Sequence, residues 1–292
     1  MCPGERCVMT KVKPGSVVVG VDGSAHSDAA LAWGVGYADL ESRPLLLVNA
    51  MGGLGPGDRL HPSESRKAMR MAARQVTDKA LGLARRMAHD LEVDVTTPVG
   101  DARTVLLELA ENAHILVVGT RGRGPVASLL LGSVSVAVAS HARCAVAVVR
   151  PREEPAQGVV VGVASDGSDR AAIEFAARLA SDDHGVLEAV HAWHTGDTFV
   201  DFDSYEQRLT AMERHERSLS KAVVGLAEKF PDVEVSRHLV DRSPVDALVE
   251  MSTTADCVVV GSRGRSGARA LLGSVSRAVI EHAHCTVVVV RG

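Results

Sequence analysis

With 292 residues, the chain is long enough for two ordinary domains, each able to bury its own core. Apolar residues make up 46% and charged residues 23%, the balance of a soluble globular protein. A formal net charge of −4 gives nucleic acid or an acidic membrane surface no electrostatic reason to bind.

Residues 1–15 (MCPGERCVMTKVKPG) lack an apolar stretch long enough for a signal peptide, and no later segment approaches a membrane span. The five cysteines are odd in number and fall in no metal-ligand spacing. Reduced thiols and a cytoplasmic location are therefore expected. Cys144 and Cys285 stand at matching places before the last apolar run of each half, suited to small near-core packing.

Along the chain, apolar runs alternate with segments of helical periodicity. SVVVGV (16–21) reads as a buried strand and 27–40 as a helix, followed by a strand LLLVNA (45–50). A long helix is expected over 63–90, with Met69, Ala73, Val76, Ala80, Leu83 and Met87 on one face. A strand over 93–97, a helix over 103–112, a strand over 115–118, a helix over 133–141 and a strand AVAVV (145–149) complete the first half. The same order recurs from Val159 to Arg291. Continuous Val/Leu/Ile runs joined by helical crossovers call for a parallel sheet covered on both faces. In such sheets ligands bind beyond the carboxyl ends of the strands, at the switch point.

Residues 119–133 read GTRGRGPVASLLLGS, directly after Ile115–Val118, and GSRGRSGARALLGS returns at 261–274 after Cys257–Val260. A strand that breaks into a glycine loop and then a helix lets backbone N–H groups crowd an anion, with the helix dipole behind them. The two halves align at one constant offset, Gly20 with Gly162, Gly119 with Gly261 and Gly122 with Gly264. Beyond the loop the offset is one residue shorter, so Gly132 and Ser133 match Gly273 and Ser274. The segment 151–157 (PREEPAQ) is short, charged and bracketed by prolines, as a linker should be. The expected organisation is a tail over 1–15, a first domain over 16–150, this linker, and a second domain over 158–292.

VVVGVDGS (17–24), together with Gly119-x2-Gly122-x9-Gly132-Ser133 and the following Val134-Ser135, resembles the ATP-binding branch of the universal stress proteins, in their tandem two-domain form. The likeness covers nearly the whole chain. It implies two flavodoxin-like (Rossmann-like) α/β domains, each a five-stranded, mostly parallel sheet with helices on both faces. It also implies ATP as ligand, with Mg2+ held through the phosphates, and a nucleotide-responsive role in stress or dormancy. Asp22, in the turn Gly20-Val21-Asp22-Gly23-Ser24, would accept from ribose hydroxyls or sit near a phosphate-bound cation. Ala50 would offer backbone groups and a small wall to adenine. Gly119 and Gly122 would admit the ribose and phosphates. Gly132, Ser133 and Val134 would donate N–H groups, with the hydroxyls of Ser133 and Ser135 as further donors. Arg121 is a candidate phosphate contact. The second-half counterparts are Ala192, Gly261, Gly264, Gly273, Ser274, Val275 and Ser276. The family's pairing through the last strand implies an internal pseudo-dimer covering AVAVV and TVVVV (286–290), with a homodimer as a further option.

The second half departs from the pattern. Ungapped alignment sets Ala164 opposite Asp22, whereas a gapped alternative keeps Asp166-Gly167-Ser168 opposite Asp22-Gly23-Ser24. The stretch between the loop glycines is one residue shorter, and Arg242 opposes Gly100. A stronger site in the first half than in the second is expected. Neither glycine loop carries the lysine of G-x4-G-K-[ST], which favours a binding module over a dedicated hydrolase. A slow ATPase, a nucleotide-dependent ligase, a flavoprotein-like role and a partner-binding module are the alternatives. His191 and His194, and the group His282, His284 and Cys285, lack a completing carboxylate, so partly exposed histidines at element ends are expected rather than a metal site. Trp193 is expected at the mouth of the second pocket.

Overall fold

The central apolar runs are strands buried on both faces, whereas the strand over 93–96 and its counterpart over 234–241 have no fully buried residue. Val17, Val18 and Val19 are fully buried, as are Ile115, Leu116 and Val117. The computed structural model describes residues 12–52, 62–122, 131–152, 156–165, 169–182, 185–193, 205–262 and 272–292. The chain divides into two units between Pro151 and Arg152.

In unit 1 the order is β1 (Ser16–Gly20), α1 (Ala25–Leu40), β2 (Leu45–Val48), α2 (Pro62–Met87), β3 (Val93–Thr96), α3 (Ala102–Ala110), β4 (Ala113–Gly119), α4 (Ser133–His141) and β5 (Ala145–Val149). The strands run β3-β2-β1-β4-β5, and every described pairing is parallel. Helices α1 and α2 pack together, as do α3 and α4. Right-handed crossovers put these two pairs on opposite faces of the sheet. The chain reverses direction across the sheet between β1 and β4, which opens the switch-point crevice at their carboxyl ends.

Unit 2 repeats the plan with β6 (Val159–Gly162), α5 (Arg170–Asp182), β7 (Val186–Trp193), α6 (Tyr205–Ala222), a short α7 (Leu226–Lys229), β8 (Glu234–Asp241), α8 (Pro244–Met251), β9 (Cys257–Gly261), α9 (Ser274–His282) and β10 (Thr286–Val290). Its strands run β8-β7-β6-β9-β10, again parallel. Arg152 belongs physically to this unit: its guanidinium donates to the carbonyls of Ser252, Thr253 and Ala255, which follow α8. Cations suit these carbonyls because a helix leaves its last C=O groups without partners.

The buried stripe of α2 is Ala73, Thr77, Ala80 and Ala84, continued by Ala88 just beyond its end. Ala73 and Ala80 of the expected face are in it and Met69, Val76 and Leu83 flank it half-buried, whereas Met87 turns outward. Met87 is 52% exposed. Small residues win this face because α2 must approach α1 closely, and a methionine there would hold the helices apart. Cys285 and Cys257 are buried and Cys144 is half-buried. Burial, with Cys285 and Asp256 nearby, pushes the Cys257 thiol well up, so it is a packing residue and not a nucleophile. Among the described residues no helix is long and apolar enough to cross a membrane.

Candidate functional site

The turn after β1 is built by its own side chains. Val21 N–H still pairs with Val48 O at 2.8 Å, and then the chain leaves the sheet. Ser27 Oγ, on a buried residue of α1, accepts the N–H groups of Asp22 (3.2 Å) and Gly23 (3.1 Å). Asp22 Oδ1 accepts from Ser24 N–H at 2.9 Å, and Ser24 Oγ caps α1 by accepting from Ser27 N–H at 3.2 Å. Gly23 takes a φ of +78°, in the left-handed region that favours glycine. The second carboxylate oxygen, Oδ2, faces the glycine loop, and a Cβ placed on Gly122 would lie 2.5 Å from it. The two sequence motifs of the first half therefore meet at one carboxylate.

The loop closes on the end of β4. Gly132 N–H donates to Thr120 O at 2.7 Å, and the buried Ser135 hydroxyl donates to Gly119 O at 2.7 Å. These two groups are occupied in holding the loop's ends together. The N–H groups of Ser133, Val134 and Ser135 open α4, which carries no side-chain cap, so the first turn presents donors without intrahelical acceptors. Ser133 is exposed and Val134 half-buried. A helix start of this kind is suited to an anion.

Gly119 serves packing. A Cβ there would sit 2.6 Å from His26 O, inside the backbone of α1. His26 Nδ1 lies 2.9 Å from Thr120 Oγ1. Burial pushes its pKa down, the Arg121 and Arg150 guanidiniums add to that, and the Asp22 carboxylate opposes them. Arg121, Arg150 and His26 thus share one electrostatic neighbourhood with Asp22. Arg150 escaped the sequence reading, although its place at the carboxyl end of β5 puts it on the site's side of the sheet.

At the other end of the crevice lies β2. Asn49 N–H donates to Thr96 O (3.1 Å) and Met51 N–H to Pro98 O (2.8 Å), both toward β3. Ala50, between them, directs its backbone groups to the opposite side, where β1 has already turned away. It is half-buried and has no backbone partner among the described residues. Asn49, also missed from sequence, fixes this edge by donating from Nδ2 to Val21 O at 2.6 Å.

Unit 2 follows the ungapped alignment. Val163 N–H pairs with Val190 O as Val21 does with Val48, and Ala172, Ile173, Ala177 and Ala180 bury the face that Ala30, Leu31, Val35 and Ala38 bury in α1. Ala164 stands in Asp22's place, and its N–H donates to the carboxylate of Asp169, which stands where Ser27 does. Asp169 is buried and lines a cavity of about 150 Å³ with Gly261, Ser262 and Val290. Gly273 N–H to Ser262 O (3.0 Å) and Ser276 Oγ to Gly261 O (2.6 Å) repeat the loop closure. Ser274 and Val275 open an α9 that again carries no side-chain cap. Gly264, Asp166 and His194 lie outside the described residues. Arg242, opposite Gly100, pairs with Glu250.

The histidine expectation needs one correction. His282 and His284 are exposed, but His191 is buried, because its ring replaces Asn49 and donates from Nδ1 to Val163 O at 2.6 Å. Trp193 follows Ala192 as expected, but it is only 8% exposed and stacks on His215. Among the described residues no group of His, Cys, Asp and Glu could hold a metal ion.

Two parallel α/β units of flavodoxin-like topology, the first with a carboxylate turn facing a glycine loop at the switch point, define the class of protein. The pattern of the Universal stress protein family matches residues 15–150 and again 156–291, and the chain belongs to that family. Universal stress protein Rv2005c of Mycobacterium tuberculosis is 35% identical over 311 aligned positions, covering 96% of this chain and 98% of that one. Universal stress protein Rv1996 of the same organism is 32% identical, covering 94% of each. Among solved structures, a universal stress protein from Archaeoglobus fulgidus superposes with a TM-score of 0.68 at 20% identity, over 94% of this chain and 98% of that one. These similarities extend over both units.

Proposed function

We propose that unit 1 binds ATP and that the chain works as a nucleotide-responsive stress regulator, with unit 2 the weaker site. The observation that carries this reading is the arrangement of three recognition groups around one crevice. The backbone of Ala50 suits the edge of adenine, the Asp22 carboxylate suits ribose hydroxyls or a phosphate-bound cation, and the uncapped start of α4 suits phosphate. Arg121 and Arg150, whose guanidiniums act on His26 as the Asp22 carboxylate does, would add positive charge on the phosphate side. Bound ATP would bring its own charge and its Mg2+; the chain contributes donors, one carboxylate and a shaped wall.

Binding, not turnover, is the activity these groups support. The glycine loops lack lysine, and His26 is turned toward Thr120 rather than offered to a water. Unit 2 keeps the loop closure but has no carboxylate at Ala164. Losing one charge-assisted acceptor costs about 1.5–3 kcal/mol, roughly one to two factors of ten in affinity.

The test is to purify the chain without added nucleotide, denature it and quantify the released adenine nucleotide by chromatography. About one ATP per chain, lost in Asp22→Ala while the fold persists by circular dichroism, is the expected result. No nucleotide on release and none bound on titration would overturn the reading.

A further inference from the structure

Asn49, Ala73 and Met51 in unit 1 correspond, at the constant offset, to His191, His215 and Trp193 in unit 2. The neighbouring helix positions confirm this register, since Thr77 and Leu219 are both buried, as are Ala84 and Leu226. A small, non-titrating arrangement at the base end of one pocket has thus become two histidines and an indole in the other.

These rings form a continuous chain of contacts. His191 Nδ1 faces Val163 O, which can only accept, so that nitrogen carries a proton. His191 Nε2 lies 2.8 Å from His215 Nδ1. In the neutral pair His215 Nδ1–H is therefore the donor and His191 Nε2 the acceptor. His215 in turn stacks on Trp193, with ring centroids 5.2 Å apart. The result joins α6 to the backbone of β6 next to Ala164, through one buried side chain.

We propose that His191 and His215 form a proton-responsive strap tying α6 to the carboxyl end of β6, and that it sets the nucleotide affinity of unit 2 according to pH. One proton added at His215 Nε2 leaves the inter-ring hydrogen bond intact and places an imidazolium on the indole. A second, on His191 Nε2, sets N–H against N–H and breaks the strap. The His191 ring keeps its Nδ1–H on Val163 O but is no longer tied to α6, and the pocket edge that α6 braced loosens.

The surroundings make protonation costly. On α6 stand Arg214, and Arg208 paired with Asp241 of β8; β8 also sets Leu239 beside His191. At the β6 turn lies the Asp169 carboxylate, engaged by Ala164 N–H. On α5 Glu174 is held by Arg170 and by Lys229 of α7. Glu188 and His238 pair with each other on the opposite face of the sheet. Burial, then His191 and Arg214, push His215 below the ordinary histidine value of 6.5. The unfolded chain therefore takes up the proton first, and unit 2 loses stability as pH falls through 6.5.

The strap can be read without any ligand. The chain has two tryptophans, so Trp33→Phe leaves Trp193 as the sole reporter. In that full-length background, emission is expected to be quenched sigmoidally between pH 8 and pH 5, and His215→Ala should abolish the response. The pair His191→Asn with His215→Ala, which rebuilds the unit 1 arrangement and keeps an amide for Val163 O, should fold and give a flat profile. Flat emission in the parent, or unchanged quenching in His215→Ala, would overturn the strap.

Control of affinity rests on the nucleotide reading above. ATP titrated into the Asp22→Ala chain, where unit 1 is silenced, should bind about tenfold more weakly at pH 5.5 than at pH 7.5. The rebuilt pair should remove that difference. Equal affinity at both pH values would overturn the control of the pocket. Quenching with no ATP bound at either pH would sink the nucleotide reading for unit 2 and leave the strap standing.

Discussion

A methyl group added at Gly119 would lie 2.6 Å from the His26 carbonyl oxygen, whereas one added at Gly122 would lie 2.5 Å from Asp22 Oδ2. The first meets backbone that belongs to α1 and cannot move without the helix. The second meets the end of a short side chain that can rotate away. Gly119→Ala should therefore destabilise the fold by about 1–3 kcal/mol, the usual cost of overpacking. Gly122→Ala should leave the melting temperature within about a degree or two and instead lower ATP affinity, because it pushes the carboxylate out of position. Thermal melts beside nucleotide titrations separate the two, and equal destabilisation by both would refute the assignment. This contrast also marks what was legible from sequence. The spacing of the glycines and the Val-Asp-Gly-Ser turn pointed to one crevice, and Asp22 does meet Gly122. That Gly119 is a packing residue depends on where α1 begins relative to β4, which no local pattern states. Asn49, His26 and Arg150 were missed for the same reason: each acts on a group far away in sequence.

The inner strands were legible as elements because each is a continuous apolar run, and burial on both faces leaves no other place for such a run in a parallel sheet. The edge strands β3 (VDVT) and β8 (EVSRHLVD) are mixed in sequence and have no fully buried residue. Helix α2 was legible in extent and roughly in orientation, since of the face read from sequence Ala73 and Ala80 are buried, Met69, Val76 and Leu83 are half-buried and only Met87 is exposed. Its buried stripe of alanines and Thr77 carries less hydrophobicity than the exposed Met71 and Met87, and close approach to α1, not transfer energy, decides which side faces in. The start of α4 shows an element held by one hydroxyl. Ser135 Oγ donates to Gly119 O at 2.7 Å and is buried, so Ser135→Ala leaves a strand-end carbonyl without that donor. A loss of about 1–2 kcal/mol is expected, seen as a melting temperature lowered by a few degrees. Ser276→Ala should cost a similar amount in unit 2, since its hydroxyl makes the same bond to Gly261 O at 2.6 Å. A neutral result for both would mean that the loop closure is held by the Gly132 and Gly273 N–H bonds alone.

On the scale of the whole molecule, one domain plan has been used twice with its charges rearranged. Unit 1 places a carboxylate at the pocket edge, Asp22, and a neutral hydroxyl behind it, Ser27. Unit 2 places a methyl at the edge, Ala164, and the carboxylate behind it, Asp169, within hydrogen-bonding reach of Ala164 N–H. The ungapped repeat already held this exchange, since it sets Asp169 opposite Ser27, but the sequence alone does not show that Ser27 works as an acceptor of backbone N–H groups. The exchange predicts how a second site can be restored. Ala164→Asp alone would put two carboxylates in one small region, and like charges so close disfavour both ionising. It should add little ATP and lower stability. Ala164→Asp combined with Asp169→Ser rebuilds the unit 1 arrangement of one acceptor hydroxyl behind one edge carboxylate. The double variant should raise the nucleotide released on denaturation from about one per chain toward about two, the free energy of one charge-assisted hydrogen bond being enough to separate a retained from a lost ligand. Equal stoichiometry in the single and double variants would point to the shorter glycine loop, and not to the displaced carboxylate, as the source of the weaker binding proposed for unit 2.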